Sequence, residues 1–291
     1  MRLVPERRVF HTRAGLALVA DAYGDPGARP VVLAHGGGQT RHAWGGAAAA
    51  LARRGWYALA IDLRGHGESQ WSPAGEYDFE VFAEDLADVA ASLDQSPVLV
   101  GASLGGLAAI LAQGGAERGP FSAVVLVDVT PRLELDGVAR IRSFMTEHLE
   151  RGFATLEEAA DAVAAYQPQR VRERNLAGLE KNLRRGDDGR WRWHWDPRFM
   201  NRESRLSPEV TGLRLTDAAR NLRVPTLLVR GRMSELVSEG SVREFLELAP
   251  HAQFVDVSGA GHMVAGDRND VFSDAVIGFL AELAPELREV G

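Results

Sequence analysis

The sequence predicts an α/β fold, a mainly parallel sheet covered by helices, and three observations carry that prediction. Short apolar runs bounded by turn residues recur at 30–34, 57–62, 97–101, 123–128 and 226–230, and they read as strands buried on both faces. Helical patterns lie between several of them, so strand and helix alternate as a doubly wound sheet requires. Between 131 and 220 that rhythm stops and no buried-strand pattern occurs.

In chain order, 8–11 and 16–22 flank Arg13-Ala14-Gly15 and form an antiparallel hairpin that supplies an edge of the sheet. Phe79, Phe82, Leu86, Val89 and Leu93 follow at three- and four-residue spacing, which gathers them into one apolar stripe of a helix. Within 131–220, Thr155-Leu156-Glu157-Glu158 has the form of a capping box, and Leu176, Leu179 and Leu183 make a second helical stripe. This segment is a helical cap inserted into a core made of 1–130 and 221–291. Gln253 to Val257 is strand-like and closes the series.

A chain of 291 residues accommodates one such core with its insertion. Its 45% hydrophobic and 25% charged residues exclude a disordered or fibrous protein. A net charge of −7 argues against nucleic acid and anionic membrane as partners and leaves a small-molecule substrate. Lys181 is the only lysine, which reflects codon bias. With no cysteine, the chain has no disulfide, thiolate metal site or cysteine nucleophile. The first residues lack the apolar run of a signal peptide and no apolar stretch reaches membrane-spanning length, so a cytoplasmic location is expected. The sequence does not indicate an oligomeric state.

Gly101-Ala102-Ser103-Leu104-Gly105 joins an apolar strand to a helical run. In that setting G-x-S-x-G forms a sharp turn that presents the serine hydroxyl at the tip of the sheet, with glycines removing side chains that would collide. Ser103 is the candidate nucleophile, and the Leu104 N–H stands where an oxyanion would develop. His35-Gly36-Gly37-Gly38 follows another strand, and its glycines let backbone approach a ligand; Gly37 is the candidate second oxyanion donor and Gly38 a substrate contact. His35 is read as structural.

Ser258-Gly259-Ala260-Gly261-His262 places a histidine on a short glycine loop after the last strand, and His262 is the candidate general base. The acid has two candidates. No aspartate occurs between Thr226 and Val255, so Glu235 leads among the residues after 226–230; Asp128, at the end of the preceding strand, is the rival. Asp256 is read as structural. Trp191, Trp193 and Trp195 alternate with polar residues and share one face of an extended segment, either as an aromatic wall over an apolar substrate or as a pin holding the cap to the body. Trp44 is read as packing at a helix start.

Taken together, His35-Gly36-Gly37-Gly38, the segment from Asp62 to Ser69, the Ser103 turn and Gly259-Ala260-Gly261-His262-Met263 resemble the α/β-hydrolase superfamily over nearly the whole chain. The resemblance implies an eight-stranded, mainly parallel sheet, a helical lid after the sixth strand and a triad needing no metal or other cofactor. Asp62 to Ser69 would shape the site. Serine at the turn disfavours the haloalkane dehalogenases and soluble epoxide hydrolases, which carry aspartate there, and glutamate stands where the superfamily usually has its acid. The expected activity is hydrolysis of an ester, lactone or thioester of a small apolar substrate through an acyl-enzyme. Carbon–carbon bond hydrolysis, cofactor-free perhydrolysis and a hydrolase-like small-molecule receptor are the alternatives.

Overall fold

A computed structural model describes residues 3–166, 176–200, 207–262 and 269–286. The sheet has eight strands: β1 (Glu6–His11), β2 (Ala17–Tyr23), β3 (Pro30–Ala34), β4 (Tyr57–Ile61), β5 (Val98–Ala102), β6 (Ala123–Val127), β9 (Thr226–Gly231) and β10 (Gln253–Val257), in spatial order β1-β2-β4-β3-β5-β6-β9-β10. The hairpin β1–β2 pairs antiparallel and β2 runs against β4; every other pairing is parallel.

Period-two alternation divides the apolar strand residues between two cores. Val32, Leu59, Leu99, Leu126 and Leu228 enter one, and Val31, Ala58, Val100, Val125 and Val229 enter the other. The first core receives α2 (Phe79–Ala91), whose Phe82, Leu86 and Val89 are buried as the stripe predicted, together with α3 (Leu104–Gly114) and, through Val242 and Phe245, α8 (Glu239–Leu248). The second receives α1 (Gly45–Ala52), Trp44 and α9 (Ser273–Glu286). The edge strand β10 differs: Phe254 and Val255 are partly exposed.

Between β6 and β9 the chain leaves the sheet for α4 (Leu135–Glu147), α5 (Leu156–Tyr166), the single turn α6 (Ala177–Glu180), a hairpin of β7 (Leu183–Arg185) and β8 (Trp191–Trp193), and α7 (Pro208–Arg220). The capping box before α5 is formed in one half: Thr155 Oγ1 accepts from the Glu158 N–H at 3.1 Å, while the Glu158 carboxylate turns back one residue further, to the Ala154 N–H. The helical stripe expected over Leu176, Leu179 and Leu183 is interrupted, because Leu183 starts β7, where cross-strand bonding to Trp193 replaces helical bonding. Leu215, Ala218 and Ala219 of α7 are buried in the first core, and Gly114 of α3 leaves no room for a Cβ against the Ala218 carbonyl. No helix among the described residues is long and apolar enough to cross a membrane.

Strand order positions the site. The chain reverses its direction of winding at β3 and β5, which lie side by side, and an open α/β sheet binds ligands at such a switch point beyond the carboxyl ends of its strands. Ala34 pairs with Gly101, Ala102 with Val127, Val127 with Val229 and Gly231 with Val257. The loops holding Gly37, Ser103, Asp128, Glu235 and His262 thus leave one edge of the sheet together.

Candidate active site

Ser103 links β5 to α3 with φ 45° and ψ −111°, a conformation that L-residues avoid. The glycines beside it permit the turn: a Cβ on Gly101 would lie 2.5 Å from the Gly105 carbonyl carbon, and one on Gly105 2.7 Å from the Ala34 carbonyl oxygen. Helix and strands therefore pack backbone to backbone, and the helix start comes within reach of the glycine loop after β3.

In that loop the Gly36 N–H donates to Gln39 Oε1 at 3.0 Å and the Gly38 N–H to His66 Nε2 at 3.1 Å. The N–H groups of Gly37 and Leu104 have no acceptor among the described residues, and both residues line one cavity with Ser103 and His262. Gly38, expected to touch substrate, is absent from the cavity lining, because its N–H is occupied by His66 and its α-carbon faces Met145 and Trp195.

Two buried histidines hold the loop. His35 Nδ1 donates to the Gly36 carbonyl at 2.8 Å while Nε2 accepts from the Leu63 N–H; His66 Nδ1 donates to the Arg64 carbonyl at 3.0 Å. Burial lowers His35 to about 4 and His66 to about 3, so both stay neutral and keep an accepting nitrogen. The segment carrying His66 is fixed by ion pairs: buried Asp62 accepts from Arg41 Nη1 at 2.5 Å and from the Arg41 N–H at 2.6 Å, and Arg64 bonds Asp85 of α2 through Nε and Nη2, each at 2.6 Å. Gln39 reaches across the site, donating to Asn269 Oδ1 at 3.1 Å. These contacts give the Asp62 to Ser69 segment a supporting place behind the glycine loop.

Histidine burial has a pH consequence. Above about pH 6.5 His35 and His66 are neutral whether the chain is folded or not. As pH falls towards 4, the unfolded chain takes up protons that the folded one refuses, and stability declines by up to about 1.4 kcal/mol per pH unit for each histidine. His66→Asn retains an oxygen able to accept from Gly38, and should show a shallower loss in urea unfolding between pH 7 and 5. An unchanged slope would contradict this account.

His262 is buried and its Nδ1 lies 2.7 Å from Asp128 Oδ2. Asp128 has φ 51°, and its carboxylate also accepts from the Ser234 hydroxyl at 2.8 Å and the Gly231 N–H at 3.1 Å. The loop after β9 thus delivers two donors to the carboxylate at the end of the neighbouring strand. Ser234 carried no signal in the sequence beyond its place next to Glu235.

Glu235, the leading acid in the sequence, does not bond His262. Its carboxylate accepts from Arg140 Nη1 of α4 at 2.8 Å and from the Tyr166 hydroxyl of α5. The left-handed turn at Asp128 aims the shorter side chain at the imidazole, while Glu235 extends towards the insertion.

The tryptophans also sit elsewhere than in a substrate wall. Among the described residues the cavity is bounded by Phe79, Leu107, Leu133, Val138, Ile141, Met145, Phe199, Met200 and Leu236, with Arg142 at the exposed side, and encloses about 160 Å³; Trp191, Trp193 and Trp195 are absent from it. Trp193 packs on Phe144 and Phe153, with ring centroids 5.9 and 5.2 Å away. Trp195 packs on Phe199, and the backbone around it is sewn to the segment after β4: the Gly67 N–H donates to the His194 carbonyl and the Asp196 N–H to the Gly65 carbonyl, both at 2.7 Å. The alternation therefore pins the insertion to the body. Trp193→Ala should lower stability by about 3–5 kcal/mol, the cost of emptying a buried aromatic site, while the order of preference among acyl chains stays as it was. Unfolding curves and specificity constants from one preparation would check both parts.

Comparison with known proteins agrees with this architecture. Residues 31–275 match the alpha/beta hydrolase family. The chain is 34% identical to the esterase Rv0045c of Mycobacterium tuberculosis, over 95% of this chain and 90% of that protein. It is 30% identical to the 3-hydroxybutyrate-oligomer hydrolase of Cupriavidus necator, over 86% of this chain and 88% of the relative. The crystal structure of an alpha/beta hydrolase from Novosphingobium aromaticivorans superposes with a TM-score of 0.79 at 25% identity, covering 96% of this chain and 99% of the other. Match, similarity and sheet order together identify the chain as an enzyme belonging to the alpha/beta hydrolase family.

Proposed function

We propose that this enzyme hydrolyses carboxylic esters of small acids, with Ser103, His262 and Asp128 as its triad. The observation that carries the reading is the His262–Asp128 hydrogen bond at the wall of the apolar cavity that Ser103 also lines. The names of the relatives, an esterase and an oligomer hydrolase, support ester over other bonds. Asp128 accepts the Nδ1 proton, which leaves His262 Nε2 to take the Ser103 proton as Oγ attacks the carbonyl carbon. Negative charge then forms on the carbonyl oxygen, and the Gly37 and Leu104 N–H groups receive it. The C–O bond to the alcohol breaks, His262 returns the proton to the departing oxygen, and the acyl group stays on Ser103. Water, deprotonated by His262, attacks the acyl carbon; the bond to Ser103 Oγ breaks, His262 returns the proton to that oxygen, and the acid is released. Within the insertion of residues 131–220, the part before α7 acts as the cap, its α4 bounding the cavity, while α7 packs into the body against α3.

A panel of short-chain chromogenic esters, run beside a fluorophosphonate probe, tests the reading. Turnover with labelling at Ser103 is expected. Labelling at another residue, or a protein inert to every ester, would overturn it.

A further inference from the structure

Four residues of α4 line the cavity, Val138, Ile141, Arg142 and Met145, at the spacing of one helical stripe. Three are apolar and the fourth is a cation. Apart from Ser103 and His262, Arg142 is the only polar side chain in the described lining. Its guanidinium makes a single long contact, Nη2 to the Met200 carbonyl at 3.4 Å, and has no carboxylate partner among the described residues. Neighbouring arginines are matched: Arg132 with Glu244 at 2.5 Å and Arg140 with Glu235 at 2.8 Å. Other arginines without a carboxylate among the described residues, Arg53 and Arg243 for example, lie outside the cavity; Arg142 is the one in its lining.

We infer that Arg142 receives a carboxylate on the substrate's acyl chain, so that the preferred substrates are half-esters of short dicarboxylic acids. This rests on the ester-hydrolase reading. A guanidinium offers parallel N–H donors that match one carboxylate in a bidentate pair. A single arginine suits a monoanion better than a phosphate dianion, which needs further donors. The remaining walls give the methylene chain between the two carboxyl groups an apolar path from Ser103 to Arg142.

The test compares monomethyl succinate, glutarate and adipate with methyl butanoate, pentanoate and hexanoate, matched in acyl length, by following acid release. The native enzyme should favour the half-ester in kcat/KM by about tenfold or more at one chain length, as expected for a charge-assisted pair. Arg142→Gln should bring that ratio down by about tenfold, and Arg142→Lys should keep part of it. A native preference for the neutral esters, or a half-ester preference that survives Arg142→Gln, would overturn the inference while leaving the hydrolase reading in place. Inertness to all six esters with no phosphonate labelling of Ser103 would remove both.

Discussion

Ser103→Ala is expected to abolish ester turnover, with a loss on the order of a millionfold, while circular dichroism and the unfolding transition remain those of the native chain. Without the hydroxyl no acyl-enzyme forms, and the unaided oxyanion donors sustain only a trace of rate. Glycine makes a second variant informative. At φ 45° glycine carries no Cβ penalty, so Ser103→Gly should be equally inactive yet more stable by about 1 kcal/mol, the lower end of the cost of holding an L-residue there. Specificity constants and denaturant midpoints on the three proteins would check it. If Ser103→Ala retains substantial turnover, the nucleophile lies elsewhere.

Asp128→Asn should lower kcat by roughly four orders of magnitude, and Glu235→Gln by less than about tenfold. The Asp128 carboxylate only accepts, so it requires the proton on His262 Nδ1 and leaves Nε2 free as a base. An amide held by Gly231 and Ser234 presents its NH₂ to the imidazole, moves the ring proton to Nε2 and removes the base. Glu235→Gln weakens only the tie to Arg140 and Tyr166. A collapse in Glu235→Gln with near-normal turnover in Asp128→Asn would return the acid to the loop after β9.

The sheet was legible because strands buried on both faces are apolar along nearly their whole length: β3, β4, β5 and β6 carry no charged residue, and β9 departs only at Thr226 and Arg230. Ser103 and Gly37 could be named because each stands in a glycine-rich turn directly after such a strand, and His262 because its glycine loop follows the edge strand β10. The two acids could not be separated. Both follow neighbouring strands, and what distinguishes them is a left-handed backbone turn at a non-glycine residue together with a serine hydroxyl supplied 106 residues later. The tryptophans show a related limit: alternation states that three side chains share a face, and only tertiary packing decides whether that face meets a cavity or Phe144 and Phe153. Arg142 was overlooked for the opposite reason, since an arginine on an amphipathic helix looks like an ordinary solvent-facing residue until the apolar residues on either side are seen to bound a cavity.

The place of the proposed acid, Asp128, at the end of β6 also sets a timetable. Ser103 and Asp128 belong to one strand–helix–strand unit, whereas His262 reaches Asp128 across 134 residues. At a synthesis rate of about 5–20 residues per second, that interval lasts roughly 7 to 27 s. On the proposed triad, the emerging polypeptide can hold a folded nucleophile turn throughout that interval with no base to activate it, and hydrolysis waits until the loop after β10 docks.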